Sequence, residues 1–183
     1  MMSIVRPLLA AGFHLKGLKT WSSSEGGGYQ FALTHHGKAV AWVTEHGMGG
    51  PIDIEWKGVR WDGSVQPTTS KAETRQAALS KSALEAFEAV LAATPPIKAD
   101  PATGIPDDAP PLQPDEGWLM SALLEHVELA KLCAKKTAFR LQDDRHGTYR
   151  VFSEPYGPSI AAHIRKQHPD AIILNEEIVT TVA

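Results

Sequence analysis

Between Tyr29 and Lys57 the chain alternates apolar and polar side chains in successive runs, and any fold it adopts must cover one face of those runs. In Tyr29-Gln-Phe-Ala-Leu-Thr34 the apolar residues fall at every second position, so Tyr29, Phe31 and Leu33 share one face of an extended strand. His35-His36-Gly37 then offers a turn, and Lys38-Ala-Val-Ala-Trp-Val-Thr-Glu45 resumes with β-branched and aromatic residues, the pattern of a β-hairpin. After Gly47-Met-Gly-Gly50 the alternation returns, with Ile52, Ile54 and Trp56 on one side and Asp53, Glu55 and Lys57 on the other. Trp42 and Trp56 are read as core residues of these strands. Three antiparallel strands with one apolar face need a cover.

Residues 70–93 supply a candidate for it. Ser70 stands three residues before Glu73, the capping-box spacing that satisfies backbone amides left open at a helix start. Leu79, Ala83, Phe87, Val90 and Leu91 then recur every three or four residues as an apolar stripe, and Thr94-Pro95-Pro96 stops the helix. Upstream, Phe13 to Trp21 reads as a further strand in which Gly17 marks a bulge or an edge. The glycines of Ser22-Ser-Ser-Glu-Gly-Gly-Gly28 read as a hairpin loop, because a phosphate-binding loop requires a following helix and a strand follows here. Residues 58–66 read as a fourth or extended strand.

Seven of the thirteen prolines fall in residues 94–114, where fixed φ angles and missing donors favour an extended linker or strap. The chain therefore divides into a sheet-plus-helix module, 1–93, the linker, and a second module, 115–183. In the second, Asp115 caps a helix running to about Ala134, with Leu119, Ala122, Leu123, His126, Val127 and Ala130 along one side. A hairpin follows, Thr137–Leu141 and Thr148–Phe152 around a turn at 143–147. Gly157-Pro158 opens a short helix, and Ala171–Leu174 forms a closing strand. The fold class expected is α+β: an antiparallel sheet covered by an amphipathic helix, then an α-β-β-α-β module.

Charge narrows the function classes. The formal charge is −3, with nine Lys/Arg against eight Asp/Glu in residues 1–93 and eight against ten in 115–183. A duplex-binding protein that neutralises phosphates carries a basic excess, which is missing here. The single cysteine, Cys133, forms no internal disulfide and sits near a helix end where the dipole disfavours a thiolate, so a reducing, cytoplasmic setting and an inert thiol are expected. No apolar run approaches the roughly 18–20 residues of a membrane span, and Arg6 lies inside the first apolar stretch rather than ahead of it, unlike a signal peptide.

No catalytic constellation emerges. His35 and His36 point to opposite faces of an extended chain, with His46 as the only third candidate nearby in sequence, so no metal site is expected, and no cofactor. His126 reads as a core-edge residue, and Asp143-Asp144 as turn carboxylates. An active site would need residues distant in sequence to converge. Trp21, Trp61 and Trp118 lie near element ends and are candidate partner anchors. Lys136, Arg140 and Arg150 on the second hairpin offer a basic face for nucleic acid or an acidic protein surface.

Several segments resemble a small family encoded by bacteriophages and plasmids. They are Gly17-Leu-Lys-Thr-Trp21, Glu25-Gly-Gly-Gly28, Phe31-Ala-Leu33, Gly37-Lys38, Val40-Ala41 and Gly47-Met-Gly-Gly50 with Ile-Asp-Ile-Glu-Trp56. Lys135-Lys-Thr-Ala-Phe-Arg-Leu141 and Pro155-Tyr-Gly-Pro158 are similar to further pieces. The resemblance carries no assigned activity. It implies a mobile-element setting, where small acidic α+β proteins bind host proteins, including defence systems such as CRISPR. The expected function is non-catalytic binding of a host protein, with nucleic-acid binding through the second hairpin as the alternative.

Overall fold

A computed structural model describes residues 2–22, 24, 26–97, 110–144 and 148–182. Residues 98–109 of the Pro-rich linker, 145–147 of the second hairpin turn and two residues of the 22–28 loop lie outside the described residues. The fold is α+β. Two compact units divide the chain: Ser3–Pro95 with Pro114–Leu124, and Pro96–Gln113 with Glu125–Ala183.

The first unit is built on a four-stranded antiparallel sheet, β1 (Phe13–Ser22), β2 (Gly27–His35), β3 (Lys38–Glu45) and β4 (Asp53–Trp56), in sequential order. Leu15, Leu33, Ala41 and Trp56 stand level across the strands, as do Phe31, Val43 and Ile54, and these rows form the core face. His36 and Gly37 link β2 to β3 with φ of 47° and 77°, the positive pair that matches the twist of a tight hairpin. In β1 the register shifts between Lys16 and Lys19. Gly17, at φ 70°, and Leu18 there oppose Phe31 alone, so both lysines stay on the outer face while Leu18 packs toward the core.

Three helices cover the core face rather than one. Helix α2 (Lys71–Ala93) seats Ala83 and Phe87, and Phe87 meets Phe13 and Trp56 edge-on at 5.8 Å each. Its start is capped as expected by Ser70, whose Oγ accepts from the Glu73 amide at 3.4 Å. The return arm of the box runs through Thr68: its hydroxyl donates to the Glu73 carboxylate and accepts from the Ser70 amide. Leu79, expected in the apolar stripe, faces solvent, and Ser80 is buried instead. A register shift in β3 leaves the Val40 carbonyl facing α2, where the Ser80 hydroxyl donates to it at 3.0 Å. Gln76 donates to the Ala39 carbonyl beside it.

Helix α1 (Met2–Ala10) seats Val5 and Leu8 in the same cluster. The first half of α3 (Glu116–Cys133) adds Leu119, Met120 and Leu123, its start capped by Asp115, which accepts from the Trp118 amide at 2.8 Å.

Residues 58–66 are not a strand. A lone bridge joins Val59 to Val65 around a tight loop, because Gly58, at φ 70°, turns the chain where a side chain would strike Ala77 of α2. Beyond α2, Ile97 and Leu112 exchange both backbone hydrogen bonds, closing the two ends of the Pro-rich stretch onto each other.

The second unit holds β5 (Thr137–Arg140) between β6 (Arg150–Phe152) and β7 (Ile172–Ile173), all antiparallel. Helix α4 (Pro158–Gln167) places Ala161 and Ile164 against Phe139 and Ile173 on one face. On the other, Leu129 of α3 and Leu174 and Ile178 of α5 (Leu174–Val182) pack with Ala138. The closing strand is thus shorter than 171–174, and a helix begins where it was expected to end. Asn175 stands at the switch. Buried, it accepts from the Ala138 amide at 2.8 Å and donates to the Cys133 and Lys136 carbonyls at 3.0 and 2.9 Å. One side chain thereby satisfies three backbone groups between the end of α3 and β5.

Candidate interaction site

The loop after β4 presents Trp61 almost wholly to solvent, at 98% exposure. The loop is nonetheless tightly tied. Arg60 donates to the Ser64 carbonyl at 2.8 Å, Gly63 to the Arg60 carbonyl at 2.9 Å, and Gln66 to the Gly58 carbonyl at 2.9 Å. Asp62 accepts from both the amide and the hydroxyl of Ser64, at 2.9 and 2.6 Å. Those bonds, the Ser64 hydroxyl foremost, hold the Asp62 carboxyl below its usual range. Asp and Ser close such turns with their own side chains, so the indole is carried on a preset backbone.

The other tryptophans distribute over the first unit. Trp118, in the first turn of α3, is exposed, and so is Trp21 near the end of β1. Trp21 is paired with Gly28, and its indole lies over that residue, where no Cβ stands in the way. Trp56 is buried as expected. Trp42 is not: it is 41% exposed on the outer face of the sheet, since it pairs with Ala32 rather than with the Phe31 and Leu33 side of β2. Lys57 lies over its ring, 5.2 Å from the centroid.

The second hairpin does not gather its cations on one face. Arg150 pairs with Phe139, whereas Arg140 lies on the Ala138 side, so the two arginines fall on opposite faces of a sheet covered on both. Arg150 turns to Asp144, with Nη2 donating at 3.1 Å, and that contact lowers the Asp144 pKa. Asp144 also accepts from the Leu141 amide at 2.8 Å, which makes it a turn-closing group. The Arg140 Nε is buried with no hydrogen-bond partner among the described residues, and Lys136 is exposed in the turn before β5.

The titratable candidates are dispersed. His35 stacks on Phe13 at 4.6 Å and lies tilted against His36 at 4.2 Å, and burial, reinforced by His36, lowers its pKa. His46 contacts Asp53 at 3.0 Å. His126 is buried on α3, and burial pushes the Cys133 thiol up. Sequence reasoning missed one cluster: Glu176 accepts from the Tyr156 hydroxyl at 2.7 Å and from Arg165 at 2.7 and 2.8 Å. These contacts, Tyr156 first, lower the Glu176 pKa. It lay hidden because its members come from separate elements. Among the described residues no group of three or more His, Cys, Asp or Glu is placed to hold a metal ion, and no helix is long and apolar enough to cross a membrane.

No protein-family model, curated protein or solved structure matches this chain. The likeness to phage- and plasmid-encoded proteins therefore rests on the residues quoted above alone.

Proposed function

We propose that this chain acts by binding another protein, with Trp61 as the anchor. The observation that carries the reading is an indole at 98% exposure on a loop closed by backbone and Asp62 hydrogen bonds. An exposed indole costs solvation in the free protein, and a preset loop loses little conformational freedom on docking, the combination that concentrates binding energy in one residue. Arg60 and Asp62 flank it with charges of both signs, which suits a protein surface better than a run of phosphates. The mobile-element setting implied by the sequence resemblance makes a host protein in the bacterial cytoplasm the partner class, antiviral defence components among them.

The test is capture from the bacterial host by tagged chain after nuclease treatment, run beside Trp61→Ala. A stoichiometric protein retained by the parent and reduced at least about tenfold by the variant, as expected for an interface hot spot, supports the reading. Equal retention by both chains removes Trp61 as the anchor.

A further inference from the structure

The outer face of the four-stranded sheet is self-complementary. Reading across the strands, one row is Lys16, Ala32, Trp42, Glu55, and the next is Lys19, Gln30, Thr44, Asp53. Lys16 and Lys19 occupy the β1 edge and Glu55 and Asp53 the β4 edge, where Lys57 also reaches over the Trp42 ring and His46 contacts Asp53, and the middle pairs the largest side chain with one of the smallest. Both lysines, Trp42 and both carboxylates are exposed, while Ala32 forms a floor between its neighbours. Gln30 donates to Thr44 at 3.1 Å, which confirms that the second row shares this face.

We propose that two copies of this chain associate face to face through these rows. A half-turn about an axis in the plane of the face and parallel to the strands lays β1 over the partner's β4 and β2 over its β3, with each row kept level. Lys16 then meets the partner's Glu55, Lys19 the partner's Asp53, and Trp42 the partner's Ala32, each contact occurring twice as a twofold interface requires. Stacked sheets with nearly aligned strands, about 10 Å apart, are an established packing mode.

The charge pattern selects this occupant. A single nucleic-acid strand crossing the face would meet Asp53 and Glu55 after the lysines, whereas a second copy uses both edges. Four strands spaced about 4.8 Å, over the four residues that β4 supplies, give about 250 Å² of flat area per copy, which places the pair among weak, transient interfaces and makes the dimer strongly concentration-dependent. The surface is independent of the Trp61 anchor, so either proposal can fail alone.

The test is sedimentation of the full chain over a concentration series, with two charge-reversed chains, K16E/K19E and D53K/E55K. The parent is expected to dimerise, each reversed chain to weaken at least about tenfold because every cross pair becomes repulsive, and their equimolar mixture to regain parental strength as a heterodimer. Misfolding would not be repaired by mixing. Added salt must also weaken the parental dimer, a measurement that needs no variant. A parent that stays monomeric, a dimer indifferent to salt, or a mixture no tighter than its components overturns the proposal.

Discussion

In the first unit, strands β1 to β3 run ten, nine and eight residues and hold Phe31, Leu33, Ala41 and Val43 in one cluster while Lys16, Trp42 and Glu55 face outward. In the second, strands of four, three and two residues are covered on both faces, by α4 on one and by α3 and α5 on the other. The difference shows what each sheet relies on. Long ladders supply their own backbone hydrogen bonds and need only one apolar cover. Short ladders leave amides and carbonyls open near their ends, and side chains must close them. Asn175 does so for Ala138, Cys133 and Lys136, and the Thr137 hydroxyl does so for the Glu154 carbonyl at 3.0 Å.

The largest expected effect tests the cover. Phe87 is fully buried between Phe13 and Trp56, so Phe87→Ala should cost about 4 kcal/mol, read by urea unfolding followed through tryptophan fluorescence. A loss under about 1 kcal/mol would mean that α2 is not what hides the core face. Next comes the polar tie. Asn175→Ala leaves one buried amide and two carbonyls without their partner and should cost about 3 kcal/mol. Hydrogen exchange should quicken at Ala138 and in α5 yet stay slow at Phe31 and Leu33, and uniform acceleration would erase the contrast between the units.

The smallest effects separate the units by pH. His35 has a lowered pKa, chiefly from burial, so its neutral form is favoured in the folded first unit. The folded state then binds fewer protons than the unfolded one, and stability should decline as pH falls from 6.5 through the lowered folded value. Glu176 is lowered by Tyr156 and then Arg165, so its contribution is complete above pH 4.5 and is lost as pH falls through its lower folded value. Residue-resolved exchange measured down this range should show the first unit softening before the second. His35→Gln should remove the earlier step and leave the later one. Softening of both units together would contradict the assignment.

How much was legible follows the same contrast. The β2–β3 hairpin, β4, the Ser70 cap and the Thr94-Pro95-Pro96 stop could be read because their signals are local: a period of two, a three-residue spacing, a missing donor. The outward turn of Trp42 was legible in principle, since it sits out of phase with Ala41 and Val43, but aromatic character argued the other way. Ser80 could not be placed from its helix alone, because its burial depends on the Val40 carbonyl, which sits at a register shift in β3 and accepts from both the Ser80 hydroxyl and the Lys57 amide. Trp61 stood out as an aromatic near an element end. Its near-complete exposure depends on the loop that Gly58 turns beside Ala77.

Residue order by itself determined the α+β class, the long strands and their apolar side, because backbone periodicity and capping act over a few neighbours. Tertiary structure decided what alternation leaves open. It set which helices join α2 over the core face, the placing of α5 where Asn175 can reach three backbone groups, the separation of Arg140 from Arg150, and the rows that bring Lys16, Ala32, Trp42 and Glu55 level. Those outcomes depend on cross-strand register and on partners dozens of residues away. A one-residue change in pairing would reverse which side chains share a face while leaving every local signal intact.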